Sequence, residues 1–148
     1  MTLPDVVLVG GARTPFCEWS GGKRGDGEAG GLLRNVSALK LGAEAIKGAL
    51  ENSNTPATKV DHVVMGYALQ TCDQAIFGAR HAGLSAGIPE EVPMLTLSRI
   101  CGSGIQAIIS GAQMIKLGEA NTVVAGGMEN LSQAPHILRD MRDTYRLG

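Results

Sequence analysis

The feature that most constrains the fold of this chain is the alternation of short apolar runs with helical patterns. The apolar runs cover residues 6–9, 60–67, 94–97 and 123–125. The helical patterns cover residues 37–50, 74–86 and 103–117, the first with Ser37 as N-cap and the last ended by Gly118. Strands that alternate with helices across short links favour right-handed βαβ crossovers and a mostly parallel sheet. The sequence therefore predicts an α/β fold, in which ligands gather at the carboxyl ends of the strands.

The third helical pattern is apolar around most of its circumference. Its apolar residues are Ile105, Ile108, Ile109, Ala112, Ile115 and Leu117. Only a narrow polar stripe remains, and a helix of this composition is typical of a buried element. We therefore predict that this helix is sandwiched between layers.

Cys101 lies between the third apolar run and this helix. A thiol at a helix N-terminus faces unpaired backbone N–H groups and the positive end of the helix dipole, and both favour the thiolate. Gly102 and Gly104 leave room for a substrate carbonyl to approach the backbone. Cys101 is therefore a candidate nucleophile. A small buried hydrophobic residue is the commoner role for such a cysteine, and the spacing alone leaves both interpretations open.

The same segment also fits a nucleotide-binding pattern. Residues 102–107 read Gly-Ser-Gly-Ile-Gln-Ala, which matches G-x-G-x-x-A after a strand. That pattern normally follows the first strand of its fold, and no acidic residue ends the next strand here, since residues 123–127 precede Glu129. Binding of NAD is therefore a weakly supported hypothesis.

Composition limits the classes of function. The 148 residues suffice for one domain with a substantial core, and 44% hydrophobic and 18% charged residues are typical of a globular protein. A net charge of −1 and 3% aromatic residues argue against a nucleic-acid partner. The N-terminus lacks a basic region typical of secretory signals, and no apolar run reaches membrane-spanning length. The cysteines, at 17, 72 and 101, match no metal-binding spacing, and reduced thiols favour a cytoplasmic location.

Residues 98–107, Ser-Arg-Ile-Cys-Gly-Ser-Gly-Ile-Gln-Ala, resemble the nucleophile segment of thiolases, of the 3-ketoacyl-CoA thiolase and acetyl-CoA acetyltransferase types. Residues 12–16, 64–66 and 126–135 agree with this family in order and spacing. The resemblance implies a thiolase-like N-terminal half-domain with a mostly parallel sheet and a buried nucleophile helix. Residues 1–127 would form this domain without its last strand, and residues 128–148 would be the truncated start of a loop region. The glycine-rich loop over 18–31 is longer than the family usually has.

The resemblance also implies the chemistry. Cys101 would carry the acyl group of a coenzyme A thioester, and its backbone N–H would help to form an oxyanion hole. In fatty acid metabolism, the parent enzyme would either form 3-ketoacyl-CoA by Claisen condensation of acetyl-CoA with this acyl group or cleave 3-ketoacyl-CoA by thiolysis. Acetyl-CoA and acyl-CoA would be substrates, with no separate cofactor and no metal.

The same resemblance sets a limit on what this chain does alone. The family's Gly-His-Pro and Cys-x-Gly segments, which supply the base and a second cysteine, do not occur in the sequence. We therefore expect an N-terminal fragment that is inactive alone and that forms homo-oligomers or associates with the missing C-terminal half. The alternative is a non-catalytic subunit or interaction module.

Other reactive side chains have simpler interpretations. We predict that His62, His81 and His136 are structural or solvated, and that Cys17 and Cys72 are passive thiols. Glu129 and Asn130 follow a strand end and are candidates to order a loop near Cys101 by hydrogen bonding, with a chemical role there as the alternative. Ser132 matches no hydrolase motif.

Overall fold

Helices and strands alternate along the chain, as the sequence predicts. The computed structural model describes residues 5–17 and 30–139. Its helices are α1 (Ala38–Asn52), α2 (Gly78–Ser85) and α3 (Ser103–Leu117), and its strands are β1 (His62–Gly66), β2 (Met94–Leu97) and β3 (Val123–Gly127). Short 3₁₀ helices lie at Ala57–Lys59, Asp73–Phe77 and Leu131–Gln133. The predicted α/β class is confirmed, and the second predicted helix is divided into a 3₁₀ turn followed by α2.

The three strands form one parallel sheet in the order β2-β1-β3. Gly66, at the end of β1, is level with Leu97 of β2 and with Gly127 of β3. Because the strands run in the same direction, the loops that follow these residues emerge at one edge of the sheet. The segment that carries Cys101 is one of these loops.

Different helices cover the two faces of the sheet. Val63 and Met65 of β1 belong to a buried cluster with apolar residues of α1 and α2, and Val124 of β3 packs against that cluster. Val123 instead faces α3, where a Cβ added to Gly111 would lie 2.9 Å from Val123 Cγ1. Because side chains alternate along a strand, α1 and α2 lie on one face and α3 on the other.

The ends of the helices follow the predicted signals. The Ser37 hydroxyl accepts the Lys40 N–H at 3.2 Å and caps the start of α1. Gly118 ends α3 with a φ of 77°, a left-handed conformation that glycine adopts without a steric penalty. Both predicted caps are confirmed.

The predicted first strand, residues 6–9, does not form. These residues have no regular structure, and the exposed fractions of Val7, Leu8 and Val9 are 72%, 84% and 69%. They lie along a cleft of about 350 Å³ whose other walls are α1, α3 and β3. An apolar run becomes a strand only where a neighbouring strand offers backbone hydrogen bonds, and in the described part of the chain none pairs with residues 6–9. This part of the sequence-based prediction is wrong for this structure.

The predicted burial of α3 is also wrong for this structure. Ser103, Ala107 and Gly111 are its buried residues, whereas Ile105 and Leu117 are 65% and 72% exposed. Within the described residues α3 packs mainly on β1 and β3 of the sheet, and much of its opposite face is exposed. β3 ends at Gly127, and the predicted domain boundary after this residue stays a prediction. Residues 18–29 and 140–148, which include most of the glycine-rich loop and the end of the predicted second region, lie outside the described residues.

Asp61, directly before β1, anchors the loop that leads into β3. Its Oδ2 accepts the N–H groups of Asn121 at 2.7 Å and Thr122 at 3.0 Å. These hydrogen bonds, that of Asn121 first, hold the pKa of the Asp61 carboxyl below its ordinary value. Because the folded-state pKa is the lower one, the carboxylate stabilises the fold above the unfolded-state pKa, and this stabilisation is lost as the pH falls through the folded-state pKa.

We therefore expect Asp61→Asn to lower the free energy of unfolding at neutral pH. The difference from the wild type should shrink below about pH 4, where the wild-type carboxylate also takes up a proton. Urea unfolding at neutral and at acidic pH measures both effects. A difference of the same size at both pH values would contradict this prediction.

Candidate active site

Cys101 is exposed at the carboxyl edge of the sheet, between β2 and α3, where it lines a cleft of about 610 Å³. The other walls come from residues 12–14, from the ends of β1 and β3, and from α1. The predicted position of Cys101 at this edge is confirmed, and its alternative interpretation as a small buried hydrophobic residue is wrong. Among the described residues that line the cleft, Arg13 carries the one positive charge and Glu129 the one negative charge.

The turn that carries Cys101 has an unusual backbone. Ile100 has a φ of 51°, in the left-handed region. This conformation costs a β-branched residue about 1–3 kcal/mol, and the surrounding structure must enforce it. The N–H of Gly102 donates to the Arg99 carbonyl and the N–H of Ser103 donates to the Ile100 carbonyl, both at 3.1 Å. The chain thus changes from strand to helix within a few residues and leaves Cys101 exposed.

Unpaired amides surround this turn. Within residues 5–17 and 30–139, no hydrogen bond uses the N–H groups of Cys101, Gly104 or Ile105. The N-cap residue of α3, Gly102, has no side chain to satisfy them. The N-terminal end of a fifteen-residue helix carries a partial positive charge, to which these amides contribute. The cleft beside Cys101 can therefore stabilise negative charge on a bound group.

The first turn of α3 packs directly on the ends of β1 and β3. A Cβ added to Gly66 would lie 2.6 Å from the Ser103 carbonyl carbon and 2.9 Å from the Gly104 nitrogen, which leaves no space for any side chain. A Cβ added to Gly127 would lie 3.4 Å from Gly104 Cα. These contacts fix the height of the helix N-terminus above the sheet edge. This role of Gly66 was not predicted from the sequence, in which the one signal for it is the position of Gly66 within the apolar run 60–67.

Glu129 joins two of the loops that frame the cleft. Its Oε2 accepts the Ala68 N–H at 2.9 Å, which ties the loop after β3 to the loop after β1. Its Oε1 is buried and has no hydrogen-bond partner among the described residues. The prediction that Glu129 orders a loop near Cys101 is confirmed.

Asn130 is the centre of a second set of hydrogen bonds. Its Nδ2 donates to the carbonyls of Val36 at 2.6 Å, Leu33 at 3.1 Å and Arg34 at 3.4 Å, and its Oδ1 accepts the Ser132 N–H at 3.1 Å. The side chain, which is 9% exposed, therefore joins the loop after β3 to the segment that precedes α1. Its predicted structural role is confirmed.

The remaining candidates lie away from the cleft or act in the fold. None of the three histidines lines the cleft: His62 is at the start of β1, His81 is in α2, and His136 is exposed beyond β3. Cys72 is partly buried against the core and Cys17 is exposed. The Ser132 hydroxyl donates to the Gly30 carbonyl. These positions agree with the structural or passive roles predicted for them.

Residues 5–17 and 30–139 offer neither a cluster of metal ligands nor a helix that could span a membrane. No group of three or more histidine, cysteine, aspartate or glutamate side chains there could hold a metal ion. Over the same residues, no helix has the length and apolarity needed to cross a bilayer.

Comparison with known proteins identifies the family. The model of the thiolase N-terminal domain matches residues 6–148. The chain is 43% identical over 146 residues to human mitochondrial 3-ketoacyl-CoA thiolase, and 44% identical over 142 residues to a probable acetyl-CoA acetyltransferase of Mycobacterium tuberculosis. These alignments cover 99% and 96% of this chain, but 34% and 33% of the two relatives. The chain thus spans about a third of the length of the relatives it matches.

Solved structures agree. The crystal structure of human mitochondrial 3-ketoacyl-CoA thiolase in complex with CoA matches with a TM-score of 0.83 and 43% identity, over 95% of this chain and 33% of that one. The Bacillus anthracis acetyl-CoA acetyltransferase matches with a TM-score of 0.84 and 35% identity, over 99% of this chain and 34% of that one. The order of elements, the cleft at the sheet edge and these matches together show that the chain belongs to the thiolase family and corresponds to its N-terminal domain.

Proposed function

We propose that this chain carries the nucleophile of a thiolase-type acyltransferase, and that Cys101 is that nucleophile. The sulfur attacks the carbonyl carbon of an acyl-CoA thioester and forms a new carbon–sulfur bond. The bond between that carbon and the sulfur of coenzyme A breaks, and coenzyme A leaves as a thiol with the proton that Cys101 gives up. The observation that carries the proposal is the exposure of Cys101 in a cleft beside unpaired amides.

The unpaired N–H of Cys101 supports a role in stabilising the intermediate. When the sulfur attacks, the thioester oxygen gains negative charge, and a fixed amide donor that is not engaged elsewhere lowers the energy of that state. The amides of Gly104 and Ile105 add to the positive potential at the same helix end. Acyl-CoA and acetyl-CoA as substrates rest on family membership and on the human relative whose structure contains CoA.

Among the cleft residues that the structure describes, the one basic group is the Glu129 carboxylate, whose Oε2 already accepts the Ala68 N–H. None of the histidines lies there, and the family's histidine and second cysteine segments do not occur in this sequence. We therefore expect the chain to be acylated slowly and not to turn over. The cytoplasmic location, a role in fatty acid metabolism and homo-oligomer formation stay predictions.

The test is incubation of the purified chain with acetyl-CoA, followed by intact-mass measurement and peptide mapping. We expect one acetyl group, on Cys101, and no sustained release of coenzyme A. Absence of any acetyl group on Cys101 after long incubation would overturn the proposal. Steady thiolysis of acetoacetyl-CoA by the chain alone would show that a group within this chain activates the thiol, and would refute the expectation that the chain does not turn over.

A non-catalytic subunit is the second candidate, and one observation favours it. Ile105, Ile108, Ile109 and Leu117 leave the outer face of α3 apolar and exposed. Exposed apolar patches of this kind mark surfaces that associate with another protein. A monomer in size-exclusion chromatography that is acylated at Cys101 would favour the enzyme fragment, whereas a stable complex without acylation would favour the subunit.

A further inference from the structure

The Ser103 hydroxyl bridges the two residues that precede Cys101. It donates a hydrogen bond to the Ile100 carbonyl at 2.6 Å and accepts one from the Arg99 N–H at 2.8 Å. The Ser103 side chain is 5% exposed, so water does not compete well for either bond. The hydroxyl therefore closes a small ring of hydrogen bonds around Ile100.

This ring encloses the strained residue of the turn. Ile100 has a φ of 51°, which a β-branched residue rarely adopts unless its surroundings enforce it. One hydrogen bond of the hydroxyl holds the Ile100 carbonyl, in the peptide group that leads to Cys101, and the other holds the N–H of Arg99, the residue before Ile100. The Ser103 N–H adds a second bond to the Ile100 carbonyl. If Ile100 relaxed to an ordinary φ, the Cys101 amide and sulfur would rotate away from their present directions.

Ser103 can hold the turn because its own position is fixed by packing against the sheet. It is the first residue of α3, and it packs on Gly66 so closely that a Cβ on Gly66 would lie 2.7 Å from Ser103 Cβ. The position of the hydroxyl is thus fixed by contact with the end of strand β1 and not by contact with a loop.

We propose that Ser103 is a positioning residue for Cys101: its hydroxyl holds Ile100 in the left-handed conformation that presents the Cys101 sulfur and amide to the cleft. This inference rests on the proposed function, because positioning the Cys101 sulfur matters only if Cys101 is the nucleophile. Its geometry can be tested without any coenzyme A substrate.

The test compares two alkylating reagents on the purified chain. Iodoacetate is an anion and iodoacetamide is neutral, so the ratio of their rates reports the local positive potential of ordered amides at a thiol. Peptide mapping gives this ratio separately for Cys101 and for the exposed Cys17 in the same sample. We expect Ser103→Ala to lower the ratio about fivefold at Cys101 and to leave it unchanged at Cys17. Ser103→Thr, which keeps the hydroxyl, should retain the wild-type ratio.

The decisive variant is the double change Ser103→Ala with Ile100→Gly. Glycine adopts a positive φ without steric cost, so the turn should no longer need the hydroxyl, and the ratio should return to within about twofold of the wild type. A purely structural serine would not be rescued in this way. An unchanged ratio in a folded Ser103→Ala chain, or no rescue in a folded double variant, would overturn the proposal.

The design covers two other outcomes. If Ser103→Ala alone does not fold, the double variant, which removes the strain, still reports the ratio. If neither variant folds, Ser103 supports the whole domain and the positioning role is refuted. Failure of acetyl-CoA to acylate the wild type would refute the proposed function while leaving the alkylation result on Ser103 intact.

Discussion

Replacing Cys101 by serine is expected to abolish acylation of the chain by acetyl-CoA while leaving its fold unchanged. Serine has nearly the same shape, but its hydroxyl is a weak nucleophile unless a base activates it, and the described cleft residues include no histidine to do so. Because Cys101 is exposed, the free energy of unfolding should change by less than about 0.5 kcal/mol. Intact-mass measurement after incubation with acetyl-CoA detects the loss, and urea unfolding verifies the fold.

The other two cysteines are matched controls. Cys17→Ser changes an exposed thiol outside the cleft and should leave acylation at the wild-type rate. Cys72→Ala changes a partly buried thiol beside the core, so it should cost some stability but no acylation. An acetyl group that persists in Cys101→Ser, or that maps to Cys72 in the wild type, would contradict the assignment of the nucleophile.

The elements that the sequence predicts well are those whose signals are local. The Ser37 cap, the Gly118 stop and the short β-branched runs act within a few residues, and the predicted bounds of β2 and α3 match the structure. Cys101 falls at the sheet edge for the same reason, because it lies between a strand and a helix whose limits are both locally encoded.

The errors concern packing between distant parts of the chain. Residues 6–9 have the composition of a strand, but a strand also needs a partner, and composition does not say whether one is present. The apolar circumference of α3 shows that the helix is suited to burial. Whether its outer face is covered depends on residues that the described chain does not provide. In both cases the sequence predicted that an apolar surface would be covered, and the described residues do not provide the element that would cover it.

The contacts that hold Cys101 in position could not be predicted from the neighbouring sequence, and the reason differs from that for the two errors above. Isoleucine is among the least expected residues at a positive φ, so nothing in the sequence pointed to a left-handed Ile100. The contact of Ser103 with Gly66 joins residues far apart in the chain, and it appears only when β1 and α3 are placed together. The position of Cys101 at the sheet edge can therefore be predicted from the sequence, whereas the contacts that hold its turn can be seen only in the folded structure.

Asn130 offers the largest expected effect on stability. Asn130→Ala removes an amide that serves three carbonyls. The Leu33 and Arg34 carbonyls keep the Val36 N–H and Gln133 Nε2 as donors, whereas the Val36 carbonyl loses the one donor that the described residues give it, so the change should cost about 2 kcal/mol. Asn130→Asp keeps the acceptor for the Ser132 N–H but turns a carboxylate oxygen toward the same carbonyls, where it cannot donate. A poorly hydrated charge facing other oxygens is more costly than a missing group, so we expect a loss of about 4 kcal/mol.

The order of the variants is the informative result: wild type most stable, then Asn130→Ala, then Asn130→Asp, measured by urea unfolding at neutral pH. Gln133→Ala is the matched control, because it removes one nearby hydrogen bond, from Gln133 Nε2 to the Arg34 carbonyl at 2.8 Å, and should cost about 1 kcal/mol. The aspartate variant should recover stability in acid, since a protonated carboxyl regains one donor and loses its charge. An aspartate variant as stable as the alanine variant at neutral pH would show that the carbonyls of residues 33–36 turn to water once the amide is gone, and that the loop before α1 is held by its remaining contacts.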